Sequence, residues 1–295
     1  MKSYQFKKID AFTKGLSSGN PAACIYLNNK EDITEEEMQR IARELRGFVN
    51  EVVYLFPEKD GPFLRYYSAE CEVDFCGHGT VAAMYDYIGS RPDLLKMKTL
   101  TIRVKDERLA VYNRIEREDS VYIMAPVPRY SSAKTSAAEI GAALGIDRDR
   151  VGSPLGPTLI NAGLNTFIVP VDALDAVLSM APDLEMLKTF CLDNGFDIVL
   201  VYNGPGINRR YRTRVFAPKY GYLEDPATGS GNSAFGYYLL KAGLWDGSPI
   251  SIEQNGSRDF PNIVKLSTTG EGTSTRVVFG GAAMVKIKGE YLLPA

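Results

Sequence analysis

Two short stretches of this chain carry the same constellation of small, acidic and polar residues. The first runs Cys71-Glu72-Val73-Asp74-Phe75-Cys76-Gly77-His78-Gly79-Thr80, and the second Glu224-Asp225-Pro226-Ala227-Thr228-Gly229-Ser230-Gly231-Asn232. Aligned on their glycines, Gly77, Gly79, Ala82 and Tyr85 fall on Gly229, Gly231, Ala234 and Tyr237, and an arginine recurs upstream of each copy, Arg65 and Arg214. Each copy sets a polar residue, His78 or Ser230, between two glycines and continues into an Ala- and Tyr-bearing stretch that reads as a helix. Glycines at a helix start let backbone N–H groups approach a ligand, and the first-turn amides have no intrahelical partner. Each copy is therefore a candidate anion site, suited to a small carboxylate. The competing reading is a pair of tight strand-to-helix turns. Recurrence with acidic and hydroxyl side chains favours a site, in a duplicated chain whose chemistry is expected where the halves meet.

Alternating strands and helices must position these motifs. The clearest helix start is Thr34 with Glu37, a capping-box pattern in which Ile33 can staple onto Met38 and Met38, Ile41 and Leu45 form one apolar face. Strands are expected at Ser3–Ala11, Asn20–Leu27, Asn50–Phe56 and around Arg65, then at Thr99–Lys105, Arg108–Arg114 and Ser120–Ala125. Pro126-Val127-Pro128 and the Ser131–Ser136 region mark a boundary, after which Ser136 with Glu139 starts a helix through about Leu144. Further on, Asn165–Val171 and Asp197–Tyr202 read as strands, Asp172–Leu178, Asp183–Cys191 and Ser233–Ala242 as helices, and the C-terminal segment as β-rich. Few helices per half and antiparallel strands indicate α+β architecture.

Composition excludes more than it identifies. The chain has 295 residues and a formal net charge of −2, room for two cores and no electrostatic reason to expect nucleic acid or an anionic membrane as partner. No apolar signal core follows Met1–Lys8 and no run approaches a membrane span, so a cytoplasmic setting is expected. The four cysteines, Cys24, Cys71, Cys76 and Cys191, lack zinc-site spacing beside the single histidine, so a Cys/His metal cluster is not expected, and three of the thiols should be core.

Asp10-Ala11-Phe12 with Gly19-Asn20-Pro21-Ala22-Ala23, then Ile41-Ala42-Arg43-Glu44, Gly77-His78 and Glu224-Asp225-Pro226-Ala227-Thr228-Gly229-Ser230, resemble the PhzF-type phenazine-biosynthesis isomerase family across nearly the whole chain. The resemblance implies a fold similar to diaminopimelate epimerase and proline racemase: two pseudo-symmetric domains, each a barrel-like sheet around a central helix. Residues 1–126, completed by a last strand at about 283–295, would form the first domain, and 127–282 the second. It also implies a homodimer and cofactor-independent isomerisation of trans-2,3-dihydro-3-hydroxyanthranilate or a similar small carboxylate. Glu51, His78 and Asp225 would be catalytic. Asn20, Cys76, Gly77, Gly79, Thr228, Gly229 and Ser230 would bind substrate.

The chemistry of those roles can be argued residue by residue. A C–H bond is a weak acid, so a base must sit against it and the developing charge must be delocalised or met by donors. Glu51 opens an otherwise apolar strand, where partial desolvation would suit a carboxylate that takes and returns a proton, although a solvent-facing strand-end carboxylate is the plainer reading. His78 sits at a helix start, whose dipole favours a neutral donor, unless it only caps a turn. Asp225 could hold an amine or hydroxyl or act as an N-cap-like turn residue. Ser230 could bind a carboxylate while capping its helix.

Two features depart from the family pattern. The Arg46–Asn50 stretch before Glu51 is longer and places no serine beside the glutamate, and Phe75-Cys76-Gly77-His78-Gly79-Thr80 is similar to the first catalytic-cysteine motif of proline racemase. A thiolate at a helix start could serve as a base, but a racemase needs a second thiol and Thr228 stands at the matching position, so a small pocket-shaping residue is the simpler role. Three functions stay open: an isomerase using Glu51, an amino-acid epimerase using Cys76 with Glu51, and a non-catalytic small-metabolite binder.

Overall fold

In a computed structural model, residues 1–152, 156–205, 210–270 and 272–294 are described; Ala295, the last residue of the expected closing strand, lies outside the described residues. The chain divides into two compact units, one comprising Met1–Thr13, Ser18–Met124 and Gly280–Ala295, the other Lys14–Ser17 and Ala125–Phe279. Among the described residues no helix is long and apolar enough to cross a membrane.

The first unit begins β1 (Lys2–Ala11), β2 (Asn20–Tyr26), α1 (Glu35–Glu44), β3 (Glu51–Phe56), β4 (Phe63–Ser68) and β5 (Glu72–Val73). It continues α2 (Gly77–Gly89), α3 (Pro92–Leu95), β6 (Thr99–Val104), β7 (Glu107–Asn113), α4 (Ile115–Glu118) and β8 (Val121–Met124). The second unit opens with β9 (Arg129–Ser131), α5 (Ala137–Leu144), β10 (Thr158–Asn161), β11 (Asn165–Pro170), α6 (Leu174–Ser179) and α7 (Leu184–Asn194). After these come β12 (Ile198–Asn203), β13 (Tyr211–Phe216), β14 (Glu224–Asp225), α8 (Gly229–Lys241), β15 (Ile250–Gln254), β16 (Asn262–Thr269) and β17 (Arg276–Gly281). The last strand, β18 (Ala283–Leu293), pairs antiparallel with β1 and so belongs to the first unit.

Strand pairing proves the duplication more firmly than the motif does. Along β18-β1-β2-β3-β4-β6-β7 the successive pairs are antiparallel, antiparallel, parallel, antiparallel, parallel and antiparallel. The run β9-β10-β11-β12-β13-β15-β16 repeats that series, and β5 pairs with β4 as β14 pairs with β13. In each unit the sheet wraps one helix: α2 touches β1, β2, β3, β8 and β18, and α8 touches β10, β11, β12 and β16. Such helices must be apolar on nearly every side. Accordingly α2 buries every residue from Gly79 to Met84, and α8 buries Gly231 through Leu239.

Outer helices cover the other faces. The expected box at Thr34 and Glu37 is formed, and Met38, Ile41 and Ala42 join Ile33, Ile25 and Tyr54 in one cluster. A ten-residue helix is marginal alone. The cap contributes about 1 kcal/mol and burial of Met38 and Ile41 about 1.5–3 kcal/mol each, so packing decides its stability. In the second unit α5, α6 and α7 pack onto β11, β12 and β13 around Phe167, Phe196 and Phe216.

The recurrent arginine is explained here. Arg65 on β4 grips Glu72 of β5 at 2.8 and 2.7 Å, and Arg214 on β13 grips Glu224 of β14 at 3.0 and 2.7 Å. Each two-pronged pair fastens the short strand that leads into the glycine motif.

Candidate active site

Glu51, Cys76 and His78 come together in the first unit. Cys76 is the N-cap of α2, where its sulfur accepts from the Gly79 N–H at 3.3 Å. The Thr80 hydroxyl donates to the Cys76 carbonyl at 2.7 Å and meets Tyr66 Oη at 2.6 Å, which fixes the first turn to β4. Gly79 is dictated by packing, since a Cβ there would lie 2.8 Å from Val53 Cγ2 and 2.9 Å from Cys76 Sγ. With the turn so placed, His78 Nε2 lies 3.2 Å from Glu51 Oε2, and His78 Nδ1 lies 3.5 Å from Cys76 Sγ. The longer stretch before Glu51 folds as a turn on the end of α1, with Phe48 and Val49 N–H donating to the Leu45 carbonyl.

Glu51 is not the solvent-facing carboxylate that its strand-end position allowed. Its side chain is 20% exposed, and Oε2 is buried with no aligned hydrogen-bond donor among the described residues, so the His78 contact is an ion-pair approach. Burial opposes a charge on His78, but the Cys76 sulfur and the Glu51 carboxylate outweigh it and hold the imidazole well above its ordinary range. Burial likewise pushes the Cys76 thiol up, with His78 opposing and Glu51 adding to the rise. A sulfur that stays protonated near neutrality leaves the Glu51 contact as the feature that favours the His78 proton. The neutral imidazole expected from the helix dipole is not the favoured form: the dipole is worth only about 0.3–1 kcal/mol, and the contacts around His78 raise its affinity for a proton despite burial.

Sequence spacing held no metal pattern, yet these three residues form a cluster whose potential ligand atoms lie within 4.8 Å of one another. Glu51 was the ligand that spacing could not supply. Gly77 is the first residue of α2, and Asn20, fully buried, opens β2 just before Ala22, the register partner of Glu51 on β3. Three of the four thiols are core as expected, and the structure shows which: Cys24, Cys76 and Cys191 are buried and Cys71 is exposed.

The second unit assembles Asp225, Thr228, Gly229 and Ser230 differently. Asp225 belongs to β14 instead of capping a helix, is buried, and accepts the Thr228 hydroxyl on Oδ2. Thr228 is the N-cap of α8, so Ser230, already inside the first turn, is not the capping residue. The organiser is Gln254, which sequence reasoning missed. Its Oε1 accepts from Thr228 N–H at 2.9 Å and from Asn232 Nδ2 at 2.6 Å. Its Nε2 donates to the Asp225 carbonyl at 2.7 Å and to Thr228 Oγ1 at 3.1 Å. The available signal was a glutamine in phase with Ile252 on the buried face of a strand. A Cβ on Gly229 would strike the Phe279 ring at 2.3 Å, so that glycine too is set by packing.

Strand register shows how the duplicated halves diverged. Val53 pairs with Tyr66 and Leu200 with Val215, while Tyr66 pairs with Val73 and Val215 with Asp225. Ile198 therefore stands in the second unit where Glu51 stands in the first, and Thr228 and Ser230 stand for Cys76 and His78. Only the first unit carries the carboxylate and imidazole.

Comparisons agree with this architecture. The family model described as phenazine biosynthesis-like protein matches residues 9–289. The trans-2,3-dihydro-3-hydroxyanthranilate isomerase of Pseudomonas fluorescens is 27% identical over 97% of this chain and 98% of its own. The crystal structure of a PhzF-family phenazine biosynthesis protein from Bacillus anthracis superposes with a TM-score of 0.86 at 25% identity, covering 99% of this chain and 100% of that one. A hydroxyproline epimerase from Agrobacterium vitis, at 12% identity and a TM-score of 0.60 over 99% of this chain and 91% of its own, shares the fold. With its twice-repeated sheet, its wrapped helices and a match over almost its entire length, this chain belongs, as an isomerase, to the phenazine biosynthesis-like (PhzC-PhzF) family.

Proposed function

We propose that the protein moves a proton between carbons of a small, conjugated carboxylate, with Glu51 as the single base and acid. Glu51 takes the carbon-bound proton, the electron pair passes into the conjugated system, and the same carboxyl returns the proton at another carbon. The net change is an isomerisation with no redox partner. His78, as imidazolium, donates toward the charge that develops on substrate. In the first unit Gly77 N–H is the proposed donor to a carboxylate; in the second unit, taken by itself, Ser230 is a proposed carboxylate donor and Asp225, held in orientation by Thr228, a proposed partner of an amine or hydroxyl.

One observation carries this reading: the carboxylate of Glu51 is buried on Oε2 without an aligned donor among the described residues, 3.2 Å from the only histidine in the sequence, while Ile198 occupies its counterpart. A buried oxygen with no aligned hydrogen bond is costly, and a base that must accept a proton from carbon gains from having no such bond to break first. The Pseudomonas fluorescens relative makes a dihydro-hydroxyanthranilate the first substrate to try. The test is carbon-bound proton exchange in D2O followed by NMR, with trans-2,3-dihydro-3-hydroxyanthranilate, diaminopimelate, proline and other amino acids. Exchange in the dihydroanthranilate supports the proposal. Exchange only at an amino-acid α-carbon transfers the protein to the epimerase reading. The same proposal includes a cytoplasmic homodimer, whose mass sedimentation equilibrium would measure.

A further inference from the structure

We propose that Glu51, Cys76 and His78 bind one zinc ion per chain, and that zinc held there is a reversible inhibitor. The three offer a thiolate, an imidazole and a carboxylate, the donor set that suits zinc and disfavours magnesium and calcium. Their spacing is close to what the ion needs. Cys76 Sγ to His78 Nε2 is 3.9 Å and His78 Nε2 to Glu51 Oε2 is 3.2 Å. Tetrahedral bonds of about 2.3 Å to sulfur and 2.0–2.2 Å to nitrogen and oxygen require edges of about 3.5 and 3.4 Å, so these two edges need shifts of only a few tenths of an ångström, and the third, from sulfur to carboxylate, lies within 4.8 Å. The Gly79 N–H that already points at Cys76 Sγ, at 3.3 Å, is the outer-shell donor that a metal-bound thiolate uses. Binding displaces two protons to solvent, one from the Cys76 thiol and one from the His78 imidazolium. Three protein ligands leave a fourth position for water or a substrate carboxylate.

Stoichiometry follows from the divergence of the two halves. Ile198, Thr228 and Ser230 at the matching positions cannot repeat the site, and among the described residues no other group of three such side chains converges. Inhibition follows because a carboxylate bound to zinc cannot take a proton from carbon. Binding rests on the geometry alone, whereas inhibition also rests on Glu51 being the base, so the two can fail separately.

The experiment titrates the full chain, reduced with a phosphine, with zinc by calorimetry, and with cobalt(II) by absorbance. Wild type should bind one zinc and give a thiolate-to-cobalt charge-transfer band. Cys76→Ser should abolish the band and weaken zinc by more than the ~10–100-fold that outer-shell changes cost. The isosteric Glu51→Gln should weaken zinc while keeping the band, and Cys71→Ser, at the exposed thiol, should change neither. Circular dichroism confirms that each variant is folded. No binding by wild type, unaltered binding by Cys76→Ser, or loss of the band in Cys71→Ser overturns the site. One zinc bound with proton exchange undiminished overturns the inhibition.

Discussion

Alanine placed in turn at Gly79 and Gly231 tests the packing that positions the site, because the same substitution at matching positions should have unequal consequences. In a helix alanine is worth about 1 kcal/mol over glycine. At Gly79 the new Cβ meets Val53 Cγ2 at 2.8 Å and Cys76 Sγ at 2.9 Å. Val53 is fully buried and β-branched, with little rotamer freedom, and the sulfur is held by the first-turn amide. Overpacking costs about 1–3 kcal/mol, and two contacts under 3.0 Å with groups that cannot swing away place this case at the upper end, about 2–3 kcal/mol, so Gly79→Ala should lose a net ~1–2 kcal/mol. At Gly231 the neighbours are Ile198 Cδ1 at 3.1 Å and Thr228 Cγ2 at 3.3 Å. The first is the free end of a flexible side chain, and strain and propensity should cancel to within about 0.5 kcal/mol. Urea unfolding midpoints measure both. A Gly79→Ala protein as stable as wild type, or a Gly231→Ala protein less stable than Gly79→Ala, would refute the reasoning.

Removing the second unit's organiser should be costlier. Gln254→Leu copies the apolar Val104 that occupies the matching place in the first unit, but it strands the Thr228 N–H. A loss of at least ~2 kcal/mol is expected by urea unfolding, and a loss under 0.5 kcal/mol would contradict the network. Since His78 is the only histidine, its imidazole proton signals are unambiguous in NMR. They should titrate well above the ordinary range, and Glu51→Gln should bring the midpoint down. A raised folded value means that the stabilisation is complete below the unfolded value near 6.5 and fades as pH rises through the folded midpoint. Wild type should therefore lose more stability than Glu51→Gln across that window, measured by urea unfolding at stepped pH.

Legibility depended on how local each signal was. Both capping boxes, Thr34 with Glu37 and Ser136 with Glu139, are contained in four residues and are formed as read. The helix expected from Ser233 starts at Gly229, because the glycine motif is itself the first turn and glycine propensity hides a helix that packing imposes. Strand β9 was passed over inside the expected boundary region: all three of its residues are exposed, so no alternation betrays it. At the site, Cys76 and His78 were visible as neighbours, but the carboxylate that controls His78 arrives from β3, and its 3.2 Å approach is a tertiary fact. Gln254 escaped for the same reason, lying far along the chain from the motif that it holds.

The central claim is that one carboxylate does the proton transfer. Its most direct measurement is the rate of carbon-bound deuterium incorporation into the turned-over substrate for wild type and Glu51→Gln, with the His78 NMR signal confirming an intact site in each. The account predicts a fall of about 10²–10⁴-fold in Glu51→Gln. Incorporation that continues at the wild-type rate without the Glu51 carboxylate would contradict it.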